Sequence, residues 1–185
     1  MKLVEAAVSA EIDLIQLREK NLSTRVLFDL TTRAAAIARD SQSRVLVNDR
    51  ADVAQAADAA GVHLTSRSIE ASVIRKIFGD EFVIGVSTHS IEEVQVARAW
   101  GADFVVFGPV FETALKLEYG PPLGVEKLRE VTAKAESFPV LALGGVSLDN
   151  VGDCFRAGAS GVAAIRMFEN IDDLGGVVQK IRERW

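Results

Sequence analysis

Cysteine is almost absent: Cys154 is the single one in 185 residues. That excludes an intrachain disulfide framework and suits a reducing, cytoplasmic compartment. No apolar run approaches the ~20 residues needed to cross a bilayer, so no membrane partner is expected. Met1–Ala10 has no basic stretch followed by an apolar core and cleavage site, and does not read as a signal peptide. Positive charge is in deficit, with 21 Lys and Arg against 26 Asp and Glu for a net charge of −5. The basic residues are scattered, which argues against a nucleic-acid surface but leaves room for phosphate ligands, since a few local cations suffice for those. No Gly-x-Gly-x-x-Gly follows an early strand, which disfavours an open doubly wound dinucleotide fold. His63 and His89 lack metal-ligand spacing, no Ser-His-Asp arrangement can be justified, and both histidines read as strand-end residues with satisfied hydrogen bonds. Cys154 lies on an apolar helix face and reads as core.

What remains is an ordinary globular balance, 49% hydrophobic and 25% charged residues. It suits one domain over 1–185 with a core that needs neither disulfide nor structural metal. Short apolar runs alternate with longer amphipathic ones. The short runs are Leu14–Leu17, Val45–Val47, Val62–Leu64, Val83–Val86, Phe104–Phe107, Val140–Leu143 and Gly161–Ile165. Several are rich in Val and Ile and continuously apolar, as strands covered on both faces of a parallel sheet are. Helical spacing occupies Leu27–Ala38, Ile69–Phe78, Ile91–Trp100, Val125–Ala135, Leu148–Ala157 and Ile171–Ile181, among others. Ser23, the Ser90-Ile-Glu-Glu93 box and Ser147-Leu-Asp-Asn150 mark helix starts. Gly101 and Gly158, each followed by Ala, mark helix ends. Seven strands and eight helices in strict alternation predict an α/β fold with right-handed crossovers. The expected architecture is a TIM (β/α)8 barrel lacking its first strand in this chain, with Met1–Ala10 read as the second half of a helix.

In that fold chemistry sits where strands end. The strand ends here read Gln16-Leu-Arg18-Glu19-Lys20, Asn48-Asp49-Arg50, His63-Leu-Thr65, Ser87-Thr-His89, Gly108-Pro109, Gly144-Gly145 and Ile165-Arg166. Arg18 and Lys20, two apart, can both face the mouth, and Lys116 in the long loop after the fifth strand would reach it from across. Three converging cations suit a leaving pyrophosphate, and Asp49 is the natural Mg²⁺ ligand beside them. The bland alternative is that Arg18 and Glu19 pair at the rim. Gly144-Gly145, where a strand meets a helix, suits a phosphate on backbone N–H groups, or else a turn that merely needs glycine.

In order along the chain, Gln16-Leu-Arg-Glu-Lys20, Val47-Asn-Asp-Arg50, Gly61-Val-His-Leu64, Gly85-Val-Ser-Thr-His89, Gly101-Ala-Asp-Phe104, Gly108-Pro-Val-Phe-Glu-Thr113 and Leu143-Gly-Gly-Val146 resemble the thiamine-phosphate synthase family. The resemblance covers nearly the whole chain. It implies coupling of hydroxymethylpyrimidine pyrophosphate to a thiazole phosphate, with Mg²⁺ and release of pyrophosphate. It implies pyrimidine-pyrophosphate contacts from Gln16, Arg18, Lys20, Asn48, Ser87 and Lys116, of which Arg18, Lys20, Ser87 and Lys116 would serve the chemistry. It implies a Mg²⁺ ligand in Asp49, and thiazole-phosphate contacts at Thr113, Gly144, Gly145, Ile165 and Arg166. Phosphorylated small molecules are the implied partners, with a homo-oligomer as an option. The chain departs from the family pattern at four places. Ser68 stands where the second acidic metal ligand is usual. The Thr-x-Thr-Lys loop reads Thr113-Ala-Leu-Lys116, Arg166 replaces a serine, and the first strand is absent. The thiazole tautomerases share the fold and the phosphate site, but where they carry a histidine this chain has Pro109. A third reading is a degenerate homologue that binds thiazole or thiamine phosphate without turnover.

Overall fold

The computed structural model describes residues 1–112 and 121–185. Seven strands form one parallel sheet in the order β1 to β7: Leu14–Leu17, Arg44–Asn48, Gly61–Leu64, Val83–Thr88, Phe104–Phe107, Val140–Leu143 and Gly161–Ala163. Eight helices alternate with them: α1 Lys2–Ser9, α2 Thr24–Ala38, α3 Ala51–Ala56, α4 Ala71–Phe78, α5 Ile91–Ala99, α6 Val125–Ala135, α7 Val151–Arg156 and α8 Leu174–Arg182. This is the β/α-barrel alternation with seven strands, as the sequence led us to expect.

Strand pleating divides the side chains into two sets. The outward set, including Val47, Val62, Ile84, Val105, Phe107 and Val140, is buried under the helices in the main core. The inward set is smaller: Leu46, Phe104 and Val106 are buried, with Leu14, Val83, Leu141 and Leu143 packed against them. Each fully buried Val, Leu or Phe contributes ~1.5–3 kcal/mol. Burial varies across the sheet. Every residue of β3 and β5 is buried, whereas none of β1 or β7 is. Those two are edge strands, each paired with one neighbour. Behind them the helix layer does meet, since α1 packs on α8. There Arg182 Nη1 donates to Glu11 Oε2 at 3.0 Å and Nη2 to the Glu11 carbonyl at 2.6 Å.

The turn chemistry largely follows the sequence. Ser23 Oγ accepts from Val26 N, and Ser90 Oγ accepts from Glu93 N. Gly101 and Gly158 end α5 and α7 with φ of +82° and +90°. The Ala102 and Ala159 amides reach back to the carbonyls of Ala97 and Cys154, the Schellman pattern that only a left-handed residue closes easily. Ser147 differs. It does not cap α7; Asn150 Oδ1 accepts from Ser147 N at 2.8 Å while its Nδ2 donates to the Gly145 carbonyl at 2.9 Å. The helix therefore starts at Val151, three residues later than the apolar spacing suggests. β7 also stops at Ala163 instead of Ile165, because its only partner runs out at the Leu143↔Ala163 pair and the chain turns into a 3₁₀ segment at Arg166–Phe168.

At the end of the sheet where strands begin, Arg75 fastens α4 to the starts of β4 and β5. Its guanidinium donates to the carbonyls of Gly79, Asp80, Phe82 and Gly101 and to Asp103 Oδ2. Asp103 Oδ2 also accepts from Ile84 N at 2.6 Å.

Candidate active site

Because all seven strands are parallel, their C-terminal ends share one rim. Gln16, Asn48, His63 and Ser87 continue the inward-facing rows begun by Leu14, Leu46, Gly61 and Val83, so pleating aims all four into the barrel near that rim. The structure joins them in pairs. Gln16 Nε2 donates to Asn48 Oδ1 at 3.3 Å, linking β1 to β2. His63 Nε2 and Ser87 Oγ lie 2.8 Å apart, linking β3 to β4. Burial, and after it the charge of Arg18, hold the His63 imidazole pKa down to about 4. His63 is thus neutral near pH 7, buried at 6% exposure and engaged with a residue of the expected site. It is the satisfied strand-end histidine that the sequence suggested, but its partner in the site was not foreseen. The available signal was its place, two residues past Gly61 on a strand paired with those carrying Asn48 and Ser87.

Asp49 follows Asn48 with φ of +63°, a left-handed conformation that Asp tolerates better than most residues. Its amide donates to the His63 carbonyl at 2.9 Å, and its side chain is exposed. Arg50 is bound to Asp52 and to Thr24 Oγ1 and fastens α2 to α3. Ser68 turns back onto its own loop: its Oγ accepts from Thr65 N at 2.8 Å and lies 3.2 Å from Thr65 Oγ1. Among the described residues no group of three His, Cys, Asp or Glu side chains could hold a metal ion. Asp49 presents one exposed carboxylate at this rim. That set fits Mg²⁺ held mostly by substrate oxygens, the usual habit of this ion.

The second part of the rim is built from glycine. Gly144 and Gly145 have φ of +98° and +63°, and a Cβ at Gly145 would come within 2.4 Å of the Glu112 carbonyl oxygen. The loop after β5 lies over this turn, with Val110 N and Phe111 N donating to the carbonyls of Leu143 and Gly144. Close packing of residues 109–112 against this turn, together with its positive φ angles, therefore requires glycine at both positions. Ile165 and Arg166 are exposed beyond β7, and Lys20 is exposed in the turn after β1; the described hydrogen bonds do not tie these three to the rest. Thr113 and Lys116 lie outside the described residues. His89 Nδ1 meets the Gly108 carbonyl at 2.5 Å, and Cys154 is fully buried with its thiol pKa pushed up to about 11 by burial, both as the sequence reading had them. No helix among the described residues is long and apolar enough to cross a membrane.

Residues 1–168 match the model of the thiamine monophosphate synthase family. The thiamine-phosphate synthase of Moorella thermoacetica is 36% identical over 99% of this chain and 87% of that protein. The thiamine-phosphate synthase of Roseiflexus sp. (strain RS-1) is 41% identical over 88% of this chain and 69% of its own length. Among solved structures, thiamine phosphate pyrophosphorylase from Pyrococcus furiosus superposes with a TM-score of 0.87 at 30% identity, covering 99% of this chain and 87% of that one. A 3-hexulose-6-phosphate synthase, at 19% identity and a TM-score of 0.72, shares the fold.

Proposed function

The chain belongs to the thiamine monophosphate synthase family and is a transferase of thiamine biosynthesis, and from that premise we propose how its strand-end rim divides the work between two substrates. Hydroxymethylpyrimidine pyrophosphate binds across β1–β4. Gln16, Asn48 and Ser87 meet the pyrimidine, while Arg18, Lys20 and Lys116 hold the pyrophosphate. The thiazole phosphate binds on the backbone of Gly144 and Gly145, with Thr113, Ile165 and Arg166 at its edge. The observation that carries this reading is the run of joined inward polar residues, Gln16 with Asn48 and His63 with Ser87, on four adjacent strands at one rim.

The reaction breaks the bond between the pyrimidine's methylene carbon and the pyrophosphate oxygen. The electron pair leaves with pyrophosphate, and the thiazole nitrogen then attacks the carbocation so formed. Little acid–base chemistry is asked of the protein. Its side chains must stabilise charge growing on the leaving group and hold two partners in line with water excluded. Arg18 and Lys20 supply fixed positive charge where it grows. A neutral His63 adds no competing charge beside the carbocation. Mg²⁺, held by Asp49 and pyrophosphate oxygens, would screen the leaving group. Pyrophosphate release and the metal belong to this proposal, as does a cytoplasmic place of action.

Two assays on one preparation test it, formation of thiamine phosphate and isomerisation of the thiazole. The proposal requires the first product. Isomerised thiazole alone would make the chain a tautomerase, and thiazole phosphate bound with neither product would make it a non-catalytic homologue. Lys116→Ala sharpens the division: we expect turnover to fall while thiazole phosphate binding is kept. Equal losses would put Lys116 on the wrong substrate.

A further inference from the structure

His63 is a buried titratable group to which the mechanism above gives no contact with substrate. Its surroundings are specific. The His63↔Gly85 pair of the β3–β4 ladder sets a residue without a side chain beside it. The Phe104 ring fills that space: a Cβ at Gly85 would lie 2.3 Å from Phe104 Cζ. The ring of Phe104 in turn sits 6.1 Å from the His63 imidazole, centroid to centroid, at 42°. Beyond Gly85 on the same inward row comes Ser87, whose Oγ meets His63 Nε2 at 2.8 Å. Among the described residues this is the only hydrogen bond of the His63 side chain. Packing thus fixes the imidazole, and the fixed imidazole faces one hydroxyl.

A His–Ser contact invites a second reading, a base that activates a nucleophile. Three observations count against it. No carboxylate orients the other ring nitrogen among the described residues. Burial and Arg18 keep the ring a weak base. The reaction uses the thiazole nitrogen, and no protein nucleophile, to form the new bond. A neutral imidazole does offer one lone pair and one N–H, and Ser87 can engage either. In both cases the serine's rotor is stopped, and the rest of its hydrogen-bonding capacity points away from the ring.

We infer that His63 is a positioning residue: wedged by Phe104 over Gly85, its imidazole locks the Ser87 hydroxyl in one orientation, so that the pyrimidine meets a fixed polar group. The inference rests on the assignment of Ser87 to the pyrimidine side of the site.

A double-mutant cycle tests it. His63→Leu should lower kcat/KM for hydroxymethylpyrimidine pyrophosphate roughly 10-fold, the size of one neutral hydrogen bond, and leave KM for thiazole phosphate unchanged. His63→Gln, which keeps a polar atom near the Nε2 position, should recover most of that loss. In a Ser87→Ala background His63→Leu should cost nothing further. Additive losses, or an equal loss on the thiazole side, would overturn the inference while leaving Ser87 in the site. A silent Ser87→Ala would overturn both together. Should His63→Leu fail to fold, ¹⁵N resonances of the His63 ring in the wild-type protein decide instead. The Nε2 signal should move on Ser87→Ala and on adding the pyrimidine substrate, and stay in place with thiazole phosphate; a signal indifferent to Ser87→Ala overturns the inference.

Discussion

Arg75 and Arg18 are the same residue type at opposite ends of one sheet, and they are treated in opposite ways. Arg75, its side chain 17% exposed, gives its donors to four carbonyls and a carboxylate. Nothing is left over for a ligand. Arg18 is exposed and has no ion pair among the described residues, and its charge is felt by a buried imidazole. The rest of each end follows suit. Asp103 accepts from a guanidinium and a backbone amide, while Asp49 presents an exposed carboxylate on a left-handed backbone. At the start of the strands polar groups are consumed in holding elements together. At their ends the same groups are held in place and left with capacity to spare. Spare polar capacity on a rigid frame marks function, because it contributes nothing to the fold that water could not also supply.

The widest separation between the ends should come from Arg18→Ala. Losing one group that stabilises developing charge costs roughly 10²–10³-fold in rate, while an exposed substitution shifts stability by only ~0.5 kcal/mol. Steady-state kinetics and a thermal melt on the same sample check both halves. His63 gives a second contrast, through pH. Its folded pKa of about 4 lies below the ordinary histidine value, ~6.5 in an unfolded chain. As pH falls through that interval the unfolded chain binds a proton that the folded one refuses, so stability falls, by up to ~3 kcal/mol at the lower end. Denaturant titrations between these pH values should show the fall in the wild type and a flatter profile in His63→Gln. Arg75→Ala is the converse of Arg18→Ala: a loss of ~2–3 kcal/mol, since several carbonyls lose their donor at once, with kcat of the folded fraction unchanged. Smallest is Ser68→Asp. A carboxylate there can still accept from Thr65 N and restores the acid that the family pattern has at this position. A several-fold rise in activity at low Mg²⁺ is expected, ~1 kcal/mol at most by the worth of one hydrogen-bonding or charge partner. No change would mean that the missing carboxylate does not limit turnover.

Much of this contrast was legible beforehand, and its limits have physical reasons. The seven strands could be read because a parallel sheet covered on both faces writes itself as continuous apolar runs; Phe104–Phe107 and Val140–Leu143 were placed to the residue. Ends were harder. Leu148 to Asn150 carries helical spacing, yet Asn150's carboxamide satisfies Ser147 N and Gly145 O and delays the helix. Arg75 was invisible, because its partners are carbonyls of Gly79, Asp80, Phe82 and Gly101, which no residue pattern records. Gln16, Asn48 and Ser87 could be grouped by their shared place at strand ends, whereas the His63–Ser87 bond depends on register between β3 and β4 that sequence alone does not set. Thr113 and Lys116 lie outside the described residues.

The most direct test of the division between the two ends is calorimetry with inorganic pyrophosphate on the wild type, Arg18→Ala and Arg75→Ala, each well below its melting temperature. With Asp49 as the one carboxylate proposed to hold the metal, Mg²⁺ alone should bind the wild-type protein weakly. Pyrophosphate with Mg²⁺ should bind the wild type and Arg75→Ala alike, and Arg18→Ala at least ten-fold more weakly, as removal of one charged partner implies. Equal weakening in the two variants, or tight Mg²⁺ binding without pyrophosphate, would contradict the account.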